Sequence, residues 1–204
     1  MSPRRSADDT MATREKIIDR ARLLAANEGL EGITIGRLAD DLGMSKAGVI
    51  GPFGSKEALQ LETLDAAVTL FRHEVIDRVA ETRPGLERLL RLCEAWLDYL
   101  ANGRVSPGGC FLTAASSEFD GRPGPVHDKV AEFSARWQAF LRAEARAAVA
   151  AGDLPADTDC AQTAFELNAI ALGTNQQIQL HQDPKARERA WHAMRRICGQ
   201  TPSR

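Results

Sequence analysis

From Thr13 onward the apolar residues of the chain recur at helical spacing. Ile17, Ile18, Ala21, Leu24 and Ala25 fall at i, i+1, i+4, i+7 and i+8, a stripe along a helix that Thr13 would cap and Gly29 would stop. Thr34 can cap a second helix, in which Ile35, Leu38, Ala39 and Leu42 recur at three and four until Gly43 ends it. Ser45 can cap a short third helix carrying Lys46, Ala47, Gly48 and Val49, which Gly51 and Pro52 break. Ser55, Glu57 and the series Leu61, Leu64, Val68, Phe71 and Val75 predict a long fourth helix running to about Glu81, with Pro84 and Gly85 at its end.

Further helical stretches are expected at 86–101, 109–118, 126–151, 157–181 and 184–198, separated by the loop signals NGRVSPGG, DGRPGP, GDLP and HQDP. No stretch alternates with the period of a strand, and neither an internal repeat nor a low-complexity tract interrupts the pattern. An all-α fold follows. Its expected parts are a flexible arm over 1–12, a three-helix unit over 13–58, and a larger helical domain over 59–204 reached through the long fourth helix.

Composition narrows the function. At 204 residues, 44% hydrophobic and 26% charged, the chain can bury a real core. Its net charge is −2, with nine basic and nine acidic residues up to position 60 and 17 and 19 beyond it. No overall basic field advertises nucleic acid or membrane, so any such site must be local. The polar start MSPRRSADDTMATREK lacks a secretory apolar stretch, and no run of about 18 apolar residues occurs, which predicts a cytoplasmic protein without a membrane partner. Cys93, Cys110, Cys160 and Cys198 are far apart, and His73, His127, His181 and His192 share no helical spacing, so neither a metal nor a cofactor is expected. Without a Gly-rich phosphate loop, a Gly-x-Ser-x-Gly or a His-Glu-x-x-His, nothing marks an enzyme.

The segment TIGRLADDLGMSKAGVIGPF, about 34–53, has the grammar of a helix-turn-helix. Ala39 is small where two helices must meet, Gly43 suits a turn with positive φ, and Val49 returns to the core. Ser45, Lys46, Ala47 and Gly48 would then point outward at the start of the second helix, where short side chains permit close approach to a major groove and Lys46 can reach a guanine edge or a phosphate. Two short helices joined by a glycine turn also occur within plain helical bundles, so the local pattern alone leaves both readings open.

The run REKIIDRARLLAANEGLEGITIGRLADDLGMSKAGVIGPFGSKEALQLETL resembles the DNA-binding domain of the tetracycline-repressor (TetR) family of bacterial transcription regulators. The resemblance implies that Thr34 caps its helix near a phosphate, that Ser45, Lys46, Ala47 and Gly48 face the major groove, and that Lys56, in the Ser-Lys-Glu signature GSKEAL, holds the DNA backbone beside a helix N-terminus. Family members usually carry an aromatic residue where this chain has Ile50, followed by a polar or aromatic pair where it has Gly51 and Pro52. Ile50 donates no hydrogen bond and Pro52 has no amide proton, which puts the family's aromatic contact to phosphate in doubt. With only Arg37, Lys46 and Lys56 as basic candidates, few phosphate contacts and a shallow salt dependence are expected. Arg4 and Arg5 offer either minor-groove contacts or an unstructured tail.

A helix-turn-helix reads DNA best as a homodimer. Ala164, Asn168, Ala171 and Asn175 in the penultimate helix, with Ala190, Met194 and Ile197 in the last, present small and apolar residues for a four-helix interface, or else complete the core of one subunit. Trp96, Tyr99, Phe111, Thr113, Phe133 and Trp137 offer aromatic walls and a few polar groups for a small, largely apolar effector, although aromatic stripes also build ordinary cores. Cys110, at an expected helix start, is either a reactive thiol or a small buried hydrophobe. The expected protein is a sequence-specific regulator, a repressor released from a palindromic operator on double-stranded DNA by the effector. The alternative is an all-helical carrier or enzyme with a structural head.

Overall fold

The computed structural model describes residues 7–105 and 107–200, and among these every regular element is a helix, with α1 (Ala7–Glu28), α2 (Ile35–Leu42), α3 (Lys46–Ile50), α4 (Lys56–Phe71), α5 (Leu86–Ala101), α6 (Phe111–Phe119), α7 (Pro125–Ala150), α8 (Cys160–Gln179) and α9 (Ala186–Ile197). The caps are where the sequence puts them. Thr34 accepts from the amide of Arg37, Ser45 from that of Gly48, and Ser55 from that of Ala58, each satisfying a donor that the first turn leaves unpaired. Gly43 closes α2 at φ +64°, a left-handed conformation that a side chain would resist.

Two expectations need correction. The helix expected to begin at Thr13 begins at Ala7, since neither glycine nor proline interrupts the chain between Pro3 and Gly29. Residues 7–12 therefore belong to α1, while Arg4 and Arg5 lie outside the described residues. The fourth helix does not run unbroken to Glu81. After Phe71 it widens into a π turn over Arg72–Ile76 and then tightens into a 3₁₀ turn over Asp77–Val79. The buried residues Phe71, Val75 and Val79 are spaced by four, and on a regular helix such a stripe drifts by about 40° per step. A wider turn takes up the drift and keeps all three side chains inward.

Two hydrophobic centres organise the molecule. The first gathers Ile17, Ala21, Leu38, Val49, Leu59 and Leu64 from α1 to α4, but it also takes in Phe111, Ala115 and Phe119 of α6 and Val126 and Val130 of α7. The second is built from Phe71 and Val75 with Leu89, Trp96 and Tyr99 of α5, Leu141 of α7, Leu167 of α8 and Met194 of α9. Helices α6 and α7 thus finish the core of the N-terminal head.

Polar contacts reinforce that seam. The Glu118 carboxylate accepts from the amides of Leu30 (2.7 Å) and Glu31 (2.9 Å), two groups in the α1–α2 turn with no helical partner. Lys129 of α7 pairs with Asp65 of α4 at 2.8 Å. Gly108, in the loop before α6, lies so close to the carbonyl oxygen of Ala26 that a β-carbon would overlap it.

Candidate functional site

On the outer side of the head, α3 presents Ser45, Lys46 and Ala47 to solvent, with Gly48 half-buried beneath. A helix of five residues does not stand alone, so the Ser45 cap and the wholly buried Val49 must hold it in register. The stem of Lys46 runs beside Gly36 of α2, whose missing side chain leaves it room. No carboxylate pairs with Lys46 among the described residues. It is free to meet an external acceptor.

Arg14, Arg20, Arg37 and Lys56 of the head are already engaged with groups of the protein. Arg37 donates through Nε to Asp41 at 3.2 Å and lies 3.7 Å from Glu28, while Arg20 reaches Asp41 at 2.6 Å. The Arg20 guanidinium, aided by Arg37, holds the Asp41 carboxyl below the usual aspartate range. Lys56 turns back onto the α1–α2 turn, donating to the Glu31 carbonyl at 2.9 Å and to its carboxylate at 3.2 Å. That contact, with a hydrogen bond from Gln60, likewise lowers the Glu31 pKa. Arg14 donates to the carbonyl of Pro52 and pairs with Glu62, and its guanidinium lies 4.7 Å from the centre of the Phe53 ring. The Ile50, Gly51 and Pro52 departure is therefore anchored from behind by Arg14, which the sequence did not single out.

The six aromatic and polar candidates of the larger domain divide between the two cores. Phe111 belongs to the head core and Phe133 packs against it, while Trp96, Tyr99 and Trp137 sit in the second core. Thr113 is half-buried on α6. Phe71, from α4, completes the second set. It meets Trp96, Tyr99 and Trp137 edge-on at 6.3, 5.4 and 4.9 Å between ring centres, and Trp137 stacks with Phe140 at 5.7 Å. Cys110 is buried at the start of α6, and burial pushes its thiol up, which favours the small buried hydrophobe over the reactive thiol.

Of the candidate interface residues, Ala164, Ala171, Ala190 and Met194 are buried inside the protomer, where they join α8 and α9 to α5. Asn175 accepts from the amide of Cys110 at 2.8 Å. Asn168 and Ile197 are half-buried. Small side chains here serve contact within one subunit. Within α8 the exposed large apolar residues are Phe165, 62% exposed, and Leu172, 41% exposed, seven residues apart on one side of the helix. Beside them lies a shallow cleft of about 320 Å³ lined by Phe165, Glu166, Ala169, Ile170, Ala193, Arg196 and Ile197. No helix of the described chain is long and apolar enough to cross a membrane.

Comparison with known proteins agrees with this architecture. Residues 17–63 match the family model for bacterial regulatory proteins of the tetR family, and residues 85–194 match that for the tetracyclin repressor-like C-terminal domain. A TetR transcriptional regulator from Chloroflexus aurantiacus superposes with a TM-score of 0.86 at 21% identity, over 95% of this chain and 98% of that one. A putative transcriptional regulator from Saccharomonospora viridis, in complex with choline, gives 0.77 at 22% identity over 93% and 96%. AibR, in complex with isovaleryl coenzyme A and operator DNA, gives 0.71 at 19% identity over 94% and 100%. No curated protein sequence matches the chain. With a capped helix-turn-helix at one end and a matched C-terminal domain over more than half its length, the chain belongs to the TetR family of DNA-binding transcriptional regulators.

Proposed function

We propose that the protein is a cytoplasmic homodimeric repressor which occupies a palindromic operator and leaves it when a small, largely apolar effector enters the C-terminal domain. The observation that carries the DNA half is Lys46, an exposed cation without an internal partner at the first position of the recognition helix. With Ser45, Ala47 and Gly48 beside it, it suits direct contact with base edges in a major groove. Thr34, Arg37 and Lys56 flank it as backbone-side residues. That a small molecule is bound at all draws support from the neighbours solved with choline and with isovaleryl coenzyme A, while the apolar character rests on the aromatic residues of the second core.

The dimer contact proposed is the exposed side of α8, with Phe165, Ala169, Leu172 and Gly173 outermost, and the adjoining Ile197 of α9. Gly173 has no neighbour where its side chain would project, leaving room for a second helix to approach. The effector acts by binding the DNA-free conformation more tightly, because only a difference in affinity moves an equilibrium. Helix α4 is the transmitting element, since Lys56 begins it in the head and Phe71 ends it among the aromatic rings.

The test is binding to the DNA immediately upstream of the protein's own gene, beside random DNA. Lys46→Ala should weaken specific binding at least about tenfold, the loss of one good base contact being worth about 1–3 kcal/mol. An equal loss on random DNA would demote Lys46 to a phosphate contact. Because Arg37 and Lys56 already have carboxylate partners, we expect a slope of log affinity against log salt near −2 for a dimer, from about one phosphate-neutralising cation per subunit. A slope near −5, as expected for about three such cations per subunit, would mean that both abandon those partners for the DNA backbone.

A further inference from the structure

We infer that the aromatic cluster of the second core receives a neutral, largely apolar effector whose carbonyl or ether oxygen is taken by the indole N–H groups of Trp96 and Trp137. This rests on the effector reading above and gives that effector a chemical class. Trp96 is only 4% exposed, and its Nε1 is buried without a hydrogen-bond acceptor. Trp137 is half-buried, and its Nε1 is in the same condition. Buried donors in folded proteins are almost always paired, and an indole N–H can only donate. Two unmet donors in one place call for an acceptor from outside the chain.

They are in one place. The two indoles meet at 4.8 Å between ring centres with their planes 84° apart, which sets the two unpaired donors on neighbouring side chains of one cluster. Phe71 packs edge-on against both Trp96 and Tyr99, which are themselves buried. Trp137 and Phe140, stacked on α7, are half-buried, which makes them the members of the cluster nearer to solvent.

The surroundings select the ligand's charge. Among the described residues the buried charged side chain is Glu144, and it is already paired with Arg88 at 2.7 Å. An anion in the cluster would lack a counter-charge and lose its hydration. A cation would suit the ring faces but be repelled at the N–H edges, where the indole is positive. A neutral acceptor meets both demands. Its entry would displace Trp137 against Phe71, the last residue of α4 before the π turn, which is an irregular and adjustable piece of helix.

The experiment uses the whole wild-type protein, its indole N–H resonances assigned by single Trp→Phe variants, and four probes: acetophenone, ethylbenzene, benzoate and choline. Acetophenone should move the Trp96 and Trp137 indole protons downfield and leave that of Trp191 in place. Ethylbenzene, which keeps the ring and loses the acceptor, should bind at least about tenfold more weakly. Benzoate and choline should leave all three signals unmoved. Equal binding of ethylbenzene, preference for benzoate or choline, or indifference of the two indoles to every probe would each overturn the assignment. Operator binding, followed in parallel, separates the two readings. Acetophenone that binds both indoles without releasing DNA keeps the site and removes the effector role. Release by a compound that leaves both indoles unmoved keeps the effector role and removes this site.

Discussion

Replacing Gly108 with alanine should destabilise the protein by about 3 kcal/mol, far more than loop substitutions usually cost. The obstacle is the main-chain carbonyl of Ala26 near the C-terminal end of α1, which is fixed by the helical backbone and has no rotamer to adopt. Either the loop before α6 or the last turn of α1 must give way, and the two lie across the seam between head and body. The Glu118 grip on the Leu30 and Glu31 amides, a few residues along, would be strained by the same shift. Urea unfolding at fixed protein concentration measures the loss, with Gly103→Ala as the control. At Gly103 an added methyl meets nothing within 4 Å, and a change within about 0.5 kcal/mol is expected. A Gly108→Ala protein as stable as that control would show that the seam is loose.

The second large effect is expected at Glu144. This side chain is 5% exposed and receives two bonds from Arg88, Nε to one oxygen at 2.7 Å and NH2 to the other at 2.8 Å, joining α5 to α7. Both oxygens are served in a parallel fork, the strongest arrangement for such a pair. Glu144→Ala leaves the guanidinium, itself 21% exposed, against a largely apolar wall, at a cost of about 3–5 kcal/mol. Removing both charges together, as Glu144→Leu with Arg88→Met, should return most of that stability, since the pair gains little over a well-packed apolar contact. Thermal or urea unfolding of the three variants checks this. A loss below about 1 kcal/mol for Glu144→Ala would place the pair with ordinary surface bridges.

The head was readable because its instructions are local. Thr34, Ser45 and Ser55 each bond an amide three residues on, and Gly43 takes the φ that ends a helix, so spacing and residue type suffice. The partners of Glu118 and Arg88 could not be read, because they lie 88 and 56 positions away and only the packed fold brings them near. The burial of four interface candidates could not be read for a different reason. Small residues mark close helix contact but do not say whether the neighbour is in the same chain, and Ala164 and Ala171 meet their own subunit. Phe165 and Leu172, each one residue on, lie about 100° round the same helix and are exposed. The π turn after Phe71 had no sequence signal beyond an apolar spacing of four sustained for too long. Lys56 was correctly seen at a helix start, yet the nearest acceptors proved to be the protein's own Glu31 groups.

Heads and bodies of regulators are often treated as interchangeable cassettes, and the shared core sets a limit on that here. A cut in α4 would leave Ile17, Leu38 and Leu64 without Phe111, Phe119 and Val130, exposing an apolar floor on the head and an unmatched apolar ridge on the body. A working graft would have to carry α6 and the first turns of α7 along with the reading head, although they come much later in the chain. Recombination at one crossover therefore cannot move such a unit intact.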